Sequence, residues 1–99
     1  VDRELIIEII GESLRQTSLK HITTQYTKIY ENEVWVRDNR KDQDNPRWVI
    51  VRLEGSTLRV ENGRPPAVSI NLADPEGIWK LGNAIHEALR TTMLFASRL

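Results

Sequence analysis

Five side chains have the types to do chemistry together: Trp35, Arg37, Trp48, Arg52 and Arg59. Indole rings offer stacking platforms to unpaired bases, worth about 1–3 kcal/mol each, and nearby guanidinium groups neutralise phosphates and stack as well. What would set these five side by side is a strand pattern. Around Glu54-Gly55-Ser56-Thr57 the two arms alternate between apolar and charged residues. A two-residue tip at Gly55-Ser56 then places Leu53 opposite Leu58 and Val51 opposite Val60 on the inward face. The same register puts Arg52 directly opposite Arg59 on the outward face. Like charges in that position are normally avoided. Either Glu54 and Glu61 neutralise them diagonally, with the tryptophans covered, or the face is built to meet an anion.

Other chemistries find less to rest on. Asp38, Asp42 and Asp44 lack the central glycine and terminal glutamate of a calcium loop, so they read as a solvated turn. The histidines, His21 and His86, lie far apart in sequence, and neither has an evident partner for proton transfer. No phosphate-cradling glycine loop, nucleophile elbow or zinc motif is present. Cysteine is absent, which removes disulfides and thiolate chemistry. The expectation is a noncatalytic binding domain with no cofactor and no metal.

Fourteen basic and fourteen acidic residues give zero net charge, so any anion site must be local. No apolar run approaches the roughly 18 residues of a membrane span and no signal-peptide pattern opens the chain. Together with the missing cysteines, this favours an intracellular setting. Ninety-nine residues fit a single small domain, and a start at Val1 rather than Met suggests a fragment of a longer protein.

The elements that must position the five residues follow from periodicity. Leu5, Ile6, Ile9, Ile10 and Leu14 recur at helical spacing and predict a first helix ending near Gln16 to Ser18, with a close contact or early fray at Gly11. Branched and aromatic residues from His21 to Tyr30 predict a first strand. Val34 to Arg37 predicts a second, with Val34 and Val36 inward, and a polar loop runs from Asp38 to Pro46. Trp48 to Leu53 and Thr57 to Glu61 form the hairpin. Pro65-Pro66 delay the last strand to Ala67 or beyond, and Val68, Ile70 and Leu72 point inward. Asp74 caps a second helix with Pro75 in its first turn. Its apolar face runs from Ile78 through Leu81, Ile85 and Ala88 to Thr92 and Phe95. The expected fold is α+β: an antiparallel five-stranded sheet with an N-terminal helix and a long C-terminal helix packed on one face.

The end of that second helix is apolar nearly all round, which predicts a second buried side. Met93 and Leu94 fall off the main stripe and are the expected contacts of a homodimer.

The segment from Val34-Trp35-Val36-Arg37 through Arg47-Trp48-Val49-Ile50-Val51-Arg52 to Val68-Ser69-Ile70-Asn71-Leu72 and the following helix resembles a group of single-stranded nucleic-acid-binding domains. That group includes Whirly proteins, PUR repeats and the positive-coactivator domain. The resemblance implies single-stranded DNA or RNA as partner, contacted by Trp35, Arg37, Trp48, Arg52 and Arg59, with two copies packed through their helices. A second resemblance, carried by Arg47 to Leu58 and by Trp79 in the closing helix, is to pleckstrin-homology modules. It implies an anionic lipid or protein partner bound through the loop from Arg37 to Arg47. A protein-interaction or self-association role is the alternative to nucleic-acid binding.

Overall fold

A computed structural model describes residues 2–17, 22–25, 32–38 and 47–95. In chain order the elements are α1 (Asp2–Gln16), β1 (Ile22–Gln25), β2 (Glu33–Asp38), β3 (Arg47–Glu54), β4 (Thr57–Glu61), β5 (Val68–Asn71), α2 (Gly77–Thr91) and β6 (Leu94–Phe95). Strands β1 to β5 form an antiparallel meander in sequence order, and β6 pairs with β3. The chain is therefore α+β with an antiparallel sheet, but the five-stranded sheet expected from sequence is overturned by this sixth pairing. No helix among the described residues is long and apolar enough to cross a membrane.

The hairpin follows its sequence pattern residue for residue. Gly55 takes φ +63, the left-handed backbone that a two-residue tip needs. Leu53 pairs with Leu58, Arg52 with Arg59 and Val51 with Val60. On the inward face Val34, Val36, Val49, Val51 and Leu58 are fully enclosed, packed against Ile6 and Ile10 of α1 and Leu81 and Ile85 of α2.

The two helices meet through small residues. Ser13 donates its hydroxyl proton to the Ile78 carbonyl at 2.6 Å. A Cβ at Gly82 would lie 2.6 Å from Thr17 Cγ2 and 2.9 Å from the Ser13 carbonyl. The close contact expected at Gly11 is therefore elsewhere: α1 runs unbroken through Gly11, where an added Cβ would meet only Arg15 at 3.6 Å.

Both ends of the second helix differ from expectation. Asp74 does not cap it. Its carboxylate accepts the Glu76 N–H at 2.9 Å and its carbonyl accepts the Gly77 N–H, making a local turn, so that the helix begins at Gly77. At the other end the long helix reaching Phe95 is cut short at Thr91, and Thr92 is extended with ψ 142. The loop after β4 satisfies the carbonyls left open there: Asn62 Nδ2 donates to Ala88 O and Arg64 Nε to Thr91 O. Thr92 donates to the Trp48 carbonyl and accepts the Leu94 N–H at 3.1 Å, while the Met93 N–H reaches Asn62 O at 2.8 Å. These bonds turn the chain into β6, which lies beside Arg47 and Trp48 just past the end of β4.

Candidate recognition surface

The alternation of β2, β3 and β4 carries all five singled-out side chains to the outward face of the sheet. There they divide into an ionic half and an aromatic half.

Across the ionic half one row reads Glu33, Arg52, Arg59, Ser69 over four strands. Glu33 is buried, and one of its carboxylate oxygens accepts from Arg52 Nε at 2.8 Å and Nη2 at 2.5 Å. Arg52 also approaches Glu61 at 3.3 Å and Glu54 at 3.9 Å. Arg59 Nε lies 3.0 Å from Glu61 but out of line for a hydrogen bond, and its Nη1 is 4.0 Å from Glu54. Burial alone would pull the Arg52 pKa down. Its hydrogen bond to Glu33 and the fields of Glu33, Glu61 and Glu54 outweigh that and hold it raised. Two cations thus sit among three carboxylates.

In the aromatic half the Trp35 and Trp48 rings meet edge to face, centroids 6.1 Å apart, and the Arg37 guanidinium stands 5.6 Å from the Trp48 centroid. Leu94 of β6 and Ile50 pack against the rings, which leaves Trp48 2% and Trp35 7% exposed. With so little ring surface exposed, neither indole offers a base a stacking platform as it stands. Both indole N–H groups and Arg37 Nε are buried without an acceptor among the described residues. Leu94 thus packs within its own chain, whereas Met93 beside it is 46% exposed and takes the Arg64 Nη2 on its sulfur at 3.2 Å.

Two concavities flank the β4–β5 end of the sheet. The outward one, about 280 Å³, has Ile50, Leu94, Pro65 and Ala67 in its walls and Arg59, Glu61 and Arg64 among its polar groups. The helix-side one, about 230 Å³, runs between β5 and α2 over Val60, Val68, Ala84 and Ala88, again reaching Arg64. Val68, expected inward, does face the helices. At the sheet edge, however, it stays 46% exposed.

Sequence reasoning misses Glu33, because the apolar alternation starts the second strand at Val34 and Glu54 and Glu61 are the partners nearest to Arg52 in the hairpin register. It also misses Thr92 and Arg64, whose only signals are a threonine pair near a helix end and a lone cation in a proline turn. Among the described residues no group of three His, Asp or Glu is placed to hold a metal ion. The side chains of Asp38, Asp42 and Asp44 lie outside the described ones, as do Tyr26 to Tyr30 of the expected first strand.

Comparison of the chain with protein-family models, curated proteins and solved structures returned no match.

Proposed function

We propose that this chain is a noncatalytic protein-recognition domain that presents its outward sheet face and the adjoining β4–β5 end to another polypeptide. The observation carrying this reading is the pairing of Arg52 and Arg59 with Glu33, Glu54 and Glu61. A phosphate backbone or an anionic lipid surface is attracted by uncompensated cations, and in the ionic half Arg52 and Arg59 are already compensated by three carboxylates. A concavity with apolar walls and a polar rim of mixed sign is instead the anatomy of a protein contact.

Binding of single-stranded nucleic acid is the second reading. It is favoured by the N–H groups of Trp35, Trp48 and Arg37, which have no acceptor among the described residues and which a base or phosphate oxygen would satisfy once Leu94 moved.

A titration with labelled single-stranded DNA and RNA at low and moderate salt separates the two. The protein reading expects no change in Trp fluorescence at either salt. Quenching that weakens steeply with salt and is lost in Arg37→Ala would replace it with the nucleic-acid reading.

A further inference from the structure

Among the described residues strand β5 is an edge of the sheet, and its register fixes which of its backbone groups are spoken for. The Leu72 N–H donates to the Ser56 carbonyl at 2.9 Å, so the pairs Leu72–Ser56, Ile70–Leu58 and Val68–Val60 are the hydrogen-bonded ones. The N–H and C=O of Ser69 therefore point away from β4, as does the carbonyl of Ala67. Among the described residues they meet no partner. Further along, the edge is closed: the Asn71 carbonyl accepts the Asp74 N–H at 3.0 Å. The opening is a short stretch centred on Ser69.

The two concavities lie on opposite faces of this one edge. Side chains of a strand added beside β5 would alternate between them, because residues paired across strands share a face. The residue opposite Val68 would enter the helix-side groove over Ala84 and Ala88. Its neighbours, opposite Ala67 and Ser69, would turn to the outward concavity, where Arg64 stands. Arg64 bonds a carbonyl and a thioether but, among the described residues, no carboxylate.

Resting on the protein-recognition reading, we infer that the β5 edge binds an extended segment of a partner protein by strand addition, with an aliphatic residue in the helix-side groove flanked by an acidic residue facing Arg64.

The test titrates the whole chain with capped six-residue peptides alternating valine with glutamate, glutamine or lysine, followed by amide NMR. The expected result is that the Val/Glu peptide shifts the Ser69 amide and slows its hydrogen exchange, binding about tenfold more tightly than Val/Gln, the scale of one charge-assisted hydrogen bond, with Val/Lys weakest. Ser69→Pro removes an N–H that β4 does not use, so it should abolish binding while leaving the other β-sheet amides in place. If that variant does not fold, N-methylation of the peptide's own bonding amides should have the same effect on the wild-type chain. Equal binding of Glu and Lys peptides, insensitivity to Ser69→Pro and N-methylation, or no shift at β5 would each overturn the inference. Shifts confined to Ile50 and Met93, or self-association seen by sedimentation without change at β5, would overturn the edge while leaving protein recognition standing. Salt-sensitive binding of single-stranded DNA or RNA in its place would remove both.

Discussion

The two faces of the sheet are built from the same alternating strands yet are closed by different means. The inward face is sealed by two helices over side chains with no polar atom to satisfy. The outward face is covered at one end by Leu94 of β6 and closed at the other by ion pairs, and it keeps N–H groups without acceptors among the described residues. Stability is concentrated on the first face and adaptable surface on the second.

Four changes in stability would break or sharpen that contrast, each read by urea unfolding. The largest is expected inside: Ile85→Ala removes a fully buried side chain and should cost about 2–5 kcal/mol. Outside, Arg52→Ala strands the buried Glu33 carboxylate. Because Arg52 is itself partly exposed, the expected loss is about 2 kcal/mol rather than the 3–5 of a fully buried pair. A loss equal to that of Ile85→Ala would erase the distinction between the faces. Leu94→Ala should cost about 2 kcal/mol, at the low end for leucine because its site borders the surface. In a Trp79→Phe background, which removes the exposed indole, it should also shift Trp emission to the red. At the helix contact, Gly82→Ala gains about 1 kcal/mol in helix propensity, but its Cβ meets the Ser13 carbonyl, which cannot swing aside. Overpacking of about 1–3 kcal/mol then leaves a net loss near 1 kcal/mol.

The smallest effect belongs to the exposed Asp74–Lys80 pair, 2.6 Å apart. The hydrogen bond to Lys80 holds the Asp74 carboxyl below its ordinary pKa, and the Glu76 N–H adds to this. A lowered folded-state pKa means that its stabilisation is present above the ordinary carboxylate range and is lost as pH falls through the lowered value. Asp74→Asn should therefore lower stability slightly at neutral pH and flatten the acid limb, so that variant and wild type converge at low pH.

Much of the fold was legible because its signals are local. The tip at Gly55-Ser56 fixes a register that carries Arg52 opposite Arg59, and the spacing of Ile6, Ile10, Leu81 and Ile85 marks both buried helix stripes. What escaped depends on distant partners. Thr92 and Phe95 continue the helical spacing of Ile85 and Ala88, and it is contacts far away in sequence, among them the carbonyls of Trp48 and Asn62, that draw Thr92 out of the helix. Of the site, the sequence showed which residues share the outward face. It could not show that Leu94 would roof the tryptophans or that Glu33 would claim Arg52.

Thr92 and the Trp48 carbonyl it holds are 44 positions apart, and the contact joins the end of the second helix to the start of β3. A contact of such separation bears a higher loop-closure cost than the local hairpin and helix, whose bonds close short loops. The β3–β6 pairing is the most sequence-distant of the described strand pairings, so until residues 92–95 dock, a folding chain lacks the Leu94 cover over Trp35 and Trp48. In the interval before that, a nascent chain carries a bare indole pair, and its exposure to aggregation is set by how quickly residues 92–95 arrive.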